Sequence, residues 1–137
     1  IAMSGQLPCG QQEVAFSGHA LECRINAESY DESTGTILPG AGLVRDLIFP
    51  GGPGIRVDSH LYNGYAVPHQ FDSLVAKLIA FGPSRPVAIA RMQGALAEFQ
   101  VRGIDTNLAL LRRVVADPRF ATGDVTTRFL TSGQRKQ

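Results

Sequence analysis

Four polar side chains occur at alternate positions within residues 19–28 and offer the most specific chemistry in the sequence. They are Glu22, Arg24, Asn26 and Glu28. Alternate positions of an extended chain point to the same side, so these groups are predicted to share one face of a strand. A guanidinium stays charged and has a planar fork of donors that matches two oxygens of carboxylate, bicarbonate or phosphate. Arg24 is therefore the candidate for binding an oxyanion, although a solvated sheet face would show the same pattern.

Lys77 is the one charged residue in the apolar segment 74–81. An ammonium group that is buried without a partner destabilises the fold, so this side chain is predicted to pair with a carboxylate. Asp72, Glu22 and Glu28 are the candidate partners. A structural ion pair is favoured over a catalytic role.

Other familiar sites find no support in the sequence. The glycine-rich turn at residues 51–54 is not followed by Lys or Ser/Thr at the spacing of a phosphate-binding loop, which favours a tight structural turn. His19, His60 and His69 are too widely separated for a local metal motif, so no metal site is expected. No nucleophile elbow is present, so hydrolase chemistry is not indicated.

The composition excludes several classes of partner. The 137 residues are 44% hydrophobic and 18% charged, which fits one globular domain. A formal net charge of +1 and scattered basic residues argue against nucleic acid, and Arg112 and Arg113 are predicted to lie on a solvated helix face. No apolar run is long enough to span a membrane. Cys9 and Cys23 lack metal-ligand spacing and favour a reduced, cytoplasmic protein.

Strands are predicted before helices along the chain. The predicted strands are residues 19–28, 43–49, 55–59, 65–67 and a central, doubly buried 74–81, with a short extended piece at 36–38 inside a loop. The first helix begins after Ser84 and extends toward Gly103, with an apolar stripe formed by Ile89, Met92, Leu96 and Phe99. The second helix, capped by Asp105 or Thr106, ends at Asp117 before Pro118, and the remaining residues are predicted to be irregular. This order predicts an α+β fold, a mainly antiparallel sheet covered by two C-terminal helices.

Residues 18–28 resemble, nearly letter for letter, the segment that opens the C-terminal domain of biotin carboxylases. The likeness continues at Leu38-Pro39, Gly42, Pro50-Gly51-Gly52, Arg56, Asp58-Ser59-His60, Gly64-Tyr65, Val67-Pro68, Phe71-Asp72-Ser73, Lys77-Leu78, residues 88–92, Gly103-Ile104 and Thr106-Asn107. It implies the hybrid-motif-like fold of that domain over residues 18–130, a linker from an upstream ATP-grasp domain at 1–17, and a flexible tail at 131–137. The chain does not begin with Met, which suggests an excised segment.

The resemblance also implies a reaction in which Arg24 takes part. ATP activates bicarbonate as carboxyphosphate, and the ureido nitrogen of biotin, carried on a partner domain, is then carboxylated. Arg24 matches the family arginine that contacts bicarbonate and stabilises the biotin enolate. Asp72 aligns with an aspartate near the biotin site, and Glu22 and Asp72 are expected to orient the groups around it. Thr127 aligns with an apolar residue of the adenine pocket, and Arg56 with an arginine at the dimer interface.

The implied cofactors and partners lie outside this chain. ATP and Mg²⁺ would be bound mainly by the upstream ATP-grasp domain, and biotin would arrive on a carboxyl carrier domain. A carboxyltransferase and a second copy of the enzyme are the other expected partners, and the isolated chain is expected to be inactive. The acceptor stays open among acetyl-CoA, propionyl-CoA, pyruvate and urea.

Two departures from the family pattern favour a fused or acyl-CoA type of carboxylase. Pro53 replaces a bulky aromatic residue of the bacterial stand-alone enzymes, and the loop at residues 30–36 differs from their shorter version. Two alternatives stay open. In one, the domain is a non-catalytic dimerisation or scaffold module in which Arg24 pairs with Glu22 or Glu28. In the other, it is the C-terminal domain of a different ATP-grasp ligase.

Overall fold

The chain forms an α+β domain, and the predicted fold class is confirmed. The computed structural model describes residues 5, 7–31, 33–34, 36–68, 70 and 72–132. The strands are β1 (His19–Asn26), β2 (Glu28–Asp31), β3 (Thr36–Pro39), β4 (Gly42–Leu43), β5 (Asp46–Ile48), β6 (Ile55–Ser59), β7 (Ala66–Val67), β8 (Leu74–Gly82) and β9 (Gln100–Arg102). The helices are α1 (Arg85–Glu98), α2 (Leu108–Ala116), α3 (Pro118–Thr122) and α4 (Phe129–Ser132), and a 3-10 turn lies at Gln11–Glu13. His69, Phe71 and residues 133–137 of the predicted tail lie outside the described residues.

The central element is an antiparallel sheet in the order β1–β8–β6. The prediction of a central β8 is confirmed. Its even-numbered residues pair with the buried side of β1, as in Cys23 opposite Leu78 and Ile25 opposite Ala76. The expectation that β8 is buried on both faces is wrong, because Phe81 on the other face is 46% exposed. One face of the sheet therefore stays open.

Helix α1 packs on the side of the sheet that carries Cys23 and Ile25 and completes the core. All four residues of its predicted apolar stripe are buried: Ile89, Met92, Leu96 and Phe99. The helix starts after Ser84 and has Pro86 in its first turn, as predicted. It ends at Glu98, earlier than expected, because the next residues form β9 against β5.

Two strand predictions near the start of the domain need correction. The first strand stops at Asn26, where the pairing between β1 and β8 shifts by one residue, and Glu28 begins a separate strand. That strand, β2, forms a hairpin with β3 inside a segment predicted to be mostly loop. Only the extended piece at 36–38 was predicted, because turn-forming residues dominate the rest of the segment and conceal the strand that pairs with it.

The predicted strand at residues 43–49 is in fact two short strands with different partners. β4 pairs with β7, whereas β5 pairs with β9. The chain changes partner at Val44 and Arg45, whose amides donate to the carbonyls of Tyr65 and Arg102. An apolar alternation shows that a segment is extended but carries no information about which strand it pairs with.

The C-terminal third contains more helix than expected. α2 is confirmed between Leu108 and the Asp117-Pro118 step, but α3 and α4 lie in a region predicted to be irregular. Arg112 and Arg113 are exposed on α2, as predicted, but the Arg112 guanidinium also donates to the carbonyls of Leu96 at 2.9 Å and Phe99 at 3.0 Å. These carbonyls belong to the last turn of α1 and the residue after it, where helical partners are lacking.

Candidate functional site

The open face of the central sheet carries the residues selected from the sequence. We use the term open face for the side of β1–β8–β6 away from α1. On it Arg24 lies opposite Lys77, which in turn lies opposite Asp58. A second row runs from Glu22 through Ile79 to Arg56. The fold thus brings Glu22, Arg24 and Arg56 onto one surface, as alternation in the strands requires.

Arg24 is exposed, and its guanidinium has no hydrogen bond or ion pair with any described residue. The scaffold alternative required an ion pair with Glu22 or Glu28. Neither pair is formed in the described part of the chain. Instead Glu28 is engaged elsewhere, since its Oε1 accepts from Ser73 Oγ and from Asn26 Nδ2 at 3.2 Å. The donors of Arg24 are consequently available to a ligand.

Lys77 is half-buried between two charged cross-strand neighbours, Arg24 and Asp58. The predicted partners Glu22, Glu28 and Asp72 do not form an ion pair with it among the described residues, so that prediction is wrong. The carboxylate across the strand is Asp58, which accepts from Arg56 Nε at 2.8 Å. Because Arg56 already engages Asp58, two cations lie side by side at Arg24 and Lys77.

A shallow depression of about 260 Å³ adjoins this row of charges. It is lined by Asp58, Ser59, His60, Leu74, Val75, Ala76 and Lys77. The lining continues the open face along β8 and β6 and combines an ammonium group, a carboxylate and an imidazole. A small polar molecule held by Arg24 would therefore border further hydrogen-bonding groups.

Asp72 lies at the start of β8, at the same end of the sheet as Asn26. It is exposed, and its Oδ1 accepts from the amide of Leu74 at 2.9 Å. Leu74 is the cross-strand partner of Asn26. The Asp72 carboxylate therefore holds Leu74, the first residue of β8, which lies opposite Asn26.

Arg56 and Thr127 occupy different surroundings. The Arg56 side chain is 72% exposed in its ion pair with Asp58, which raises the pKa of the guanidinium. Thr127 is exposed in the turn before α4 and is not part of the central sheet. The structure therefore groups Arg56 with Arg24 and leaves Thr127 outside that group.

Asn107 is a residue of this region that sequence reasoning missed. Asp105 or Thr106 was expected to cap α2, but the N-cap position belongs to Asn107. Its side chain hydrogen-bonds the backbone of Arg24 and Asn26 instead of its own helix. Asn107 belongs to the Thr106-Asn107 pair that resembles the family, and this was its only signal in the sequence. No neighbouring residue indicated a contact with β1.

Cys23 lies on the buried side of β1, away from the open face. Burial and nearby Glu22 raise the pKa of Cys23 to about 11, so its thiol stays protonated and unreactive at neutral pH.

The described residues contain no group of three or more His, Cys, Asp or Glu side chains able to hold a metal ion. Among the helices of the described chain, none is long and apolar enough to cross a membrane. Asn26 Oδ1 is buried without a hydrogen-bond partner in this part of the chain.

Comparisons with known proteins cover most of the chain. The sequence profile of the biotin carboxylase C-terminal domain matches residues 22–132. Biotin carboxylase of Pseudomonas aeruginosa is 48% identical over 130 residues, which cover 95% of this chain and 28% of that protein. The chain thus spans less than a third of the length of such relatives.

Solved structures show the same fold. The biotin carboxylase domain dimer of 2-oxoglutarate carboxylase from Hydrogenobacter thermophilus, in complex with MgADP, ADP and bicarbonate, superimposes with a TM-score of 0.88 at 38% identity, covering 96% of this chain and 28% of that one. Pyruvate carboxylase from Rhizobium etli gives a TM-score of 0.84 at 34% identity, covering 93% of this chain and 13% of that one. The whole described architecture therefore recurs as one domain of much longer proteins.

Proposed function

The chain belongs to the biotin carboxylase C-terminal domain family, and from this membership we propose that it is one domain of an ATP-dependent biotin carboxylase. Its contribution is to supply Arg24 to the site where bicarbonate and biotin meet. The described residues do not fit a Mg²⁺ site, because they lack a cluster of carboxylates. In this proposal ATP and Mg²⁺ are bound by an ATP-grasp domain of the complete enzyme, where ATP supplies the phosphoryl group that activates bicarbonate.

The observation that carries this proposal is the unpaired guanidinium of Arg24 directly across the sheet from Lys77. Like charges at directly opposed positions of neighbouring strands repel each other. An anion bound beside both groups would remove this repulsion and would gain charge-assisted hydrogen bonds. The pair of cations therefore favours a small oxyanion such as bicarbonate as the ligand of the open face.

Arg24 has two tasks in the proposed reaction. Its forked donors bind and orient bicarbonate beside the ureido nitrogen of biotin, which replaces a collision between separate molecules by a held geometry. The same fixed positive charge stabilises the negative charge that develops on the ureido oxygen when the nitrogen loses its proton. Neither task requires the guanidinium to gain or lose a proton.

Neighbouring residues support Arg24 in this proposal. Glu22 lies two residues earlier on the same face, about 7 Å along the strand, and balances part of the positive charge. Asp72 fixes the start of β8 through Leu74. Thr127, which is exposed, is assigned to the surface facing the nucleotide of the neighbouring domain.

The partners of the domain follow from the same proposal. Biotin arrives on a carboxyl carrier domain, carboxybiotin leaves for a carboxyltransferase, and the enzyme works in the cytoplasm. The exposed ion pair of Arg56 with Asp58 is assigned to contact with a second copy, as a dimer is the form of the Hydrogenobacter relative. Alone, the chain is expected to show no ATPase activity.

The proposal is tested with the complete carboxylase polypeptide that contains this domain. Arg24→Ala should lower incorporation of labelled bicarbonate into free biotin by about 100-fold, since the loss of one oxyanion-stabilising donor costs about 3 kcal/mol. Arg45→Ala is the matched control, because Arg45 is exposed and lies between β4 and β5, outside the sheet β1–β8–β6. Equal carboxylation by Arg24→Ala and Arg45→Ala would remove Arg24 from the site.

A further inference from the structure

β1 is an edge strand of the central sheet, so the backbone groups on its outer side need partners other than a strand. At the level of Arg24 and Asn26 these partners come from one residue, Asn107, which is distant in the sequence. Asn107 Nδ2 donates to the carbonyl of Arg24 at 3.1 Å. Asn107 Oδ1 accepts from the amide of Asn26 at 2.9 Å.

The Asn107 backbone adds a third contact, since its amide donates to the carbonyl of Asn26 at 3.2 Å. A side-chain amide has one donor side and one acceptor side, as a peptide group does. Asn107 therefore takes the place that a neighbouring strand would have along two residues of β1. Both residues belong to the segment that presents the Arg24 side chain to the open face.

The Asn107 side chain makes these contacts instead of capping its own helix. Asparagine is among the preferred N-cap residues, because its side chain can accept from the free amides of the first turn. Asn107 occupies the N-cap position of α2, yet it forms no side-chain capping bond. The side-chain amide of Asn107 thus hydrogen-bonds to β1 and not to α2.

The ladder between β1 and β8 is irregular at the same place. Its register shifts between Ile25 and Asn26, one residue after Arg24. Val75 is the extra residue, so the bulge belongs to β8, and the pairing that holds β1 is interrupted beside Asn26. The contacts from Asn107 hold the backbone of β1 from its outer side at this interruption.

We propose that Asn107 is a positioning residue for Arg24, an inference that rests on the proposed function of Arg24. The Arg24 guanidinium has no partner among the described side chains, so the backbone of β1 is what determines where this side chain starts and in which direction it leaves the strand. Asn107 fixes that backbone on both sides of Ile25. A displacement of about 1 Å at a reacting group can lower a rate by about 100-fold.

The test compares variants of the complete carboxylase polypeptide. Asn107→Asp keeps the shape, the acceptor for Asn26 and the capping ability, but it replaces the donor to Arg24 with a second acceptor. We expect kcat/KM for bicarbonate to fall at least tenfold while the melting temperature changes little. Asn63→Asp makes the same chemical change at an exposed turn residue and should behave as the unmodified protein. Asn107→Ser, which keeps a capping residue, provides a second variant should Asn107→Asp fail to fold.

A double-mutant cycle separates positioning from a merely structural role. Because Asn107 acts through Arg24, its substitution should lower the residual rate no further once Arg24→Ala is present. A full multiplicative loss in that background, or unchanged kcat/KM in both Asn107 variants, would overturn the positioning role and leave the function of Arg24 standing. An unchanged rate in Arg24→Ala alone would instead overturn the proposed function itself.

Discussion

Replacing Lys77 by methionine should weaken bicarbonate binding without weakening the fold. Lys77 lies directly opposite Arg24 on the neighbouring strand, where facing Cβ atoms are about 5 Å apart. The same separation, about 5 Å, is taken for the distance between a bound anion and the ammonium group. With an effective dielectric constant of about 40, between the values for water and for a protein surface, the attraction amounts to about 1.7 kcal/mol. The KM for bicarbonate should rise roughly 15-fold.

Stability should change in the opposite direction from binding. Lys77→Met removes the repulsion between two like charges and the cost of half-burying an ammonium group, so the free energy of unfolding should stay equal or rise by up to about 1 kcal/mol. A variant that binds its substrate more weakly and unfolds no more easily cannot owe its defect to damage of the fold. Weaker binding together with unchanged stability therefore identifies the loss of an electrostatic attraction between Lys77 and the anion.

The assay measures initial rates of biotin-dependent ATP hydrolysis against bicarbonate concentration in the complete polypeptide. Lys77→Arg keeps the charge and serves as the matched control, so its KM should stay within a few-fold of the unmodified value. Near 1 M salt, where charges are screened beyond about 3 Å, the difference in KM between the unmodified enzyme and Lys77→Met should largely disappear. A salt-independent defect, or an unchanged KM in Lys77→Met, would show that the charge of Lys77 does not attract the bound anion.

Two further predictions concern the core and the helix ends. Because folding raises the pKa of Cys23 to about 11, the folded chain retains a proton that the unfolded chain loses near pH 9. The free energy of unfolding should therefore fall by about 2 kcal/mol as pH rises from about 9 to about 11, and denaturant titrations of Cys23→Ala should lack this fall. Arg112→Met should lose about 2 kcal/mol of stability, because the carbonyls of Leu96 and Phe99 at the end of α1 lose a charged donor. A shift in the denaturation midpoint no larger than that of Arg45→Met would contradict the second prediction.

The sequence was most informative where burial on one face leaves a regular pattern. β1 and α1 follow periods of two and of 3.6 residues because each buries one side against the same core. Arg24 was therefore assigned to the open face from spacing alone. The resemblance of residues 18–28 to biotin carboxylases then indicated bicarbonate as the ligand, which spacing alone could not specify.

Features that depend on contacts between distant segments were missed. Asn107 meets β1 only because α2 packs against that strand, and a helix cap was the local expectation at this position. The same holds for Arg112, which meets the end of α1 through packing of α1 against α2. The partners of Lys77 were mispredicted because register across β8 was unknown, and register decides which charges face one another.

A crystal structure of the complete polypeptide with bicarbonate would show where the anion binds. We expect a planar anion on the open face, held by two hydrogen bonds of about 2.8 Å from the Arg24 guanidinium. Lys77 should lie near enough to the same anion to contribute its charge. Bicarbonate bound with no contact to Arg24, or Arg24 engaged in an ion pair with Glu22 or Glu28 while bicarbonate is bound, would show that Arg24 is not the anion ligand.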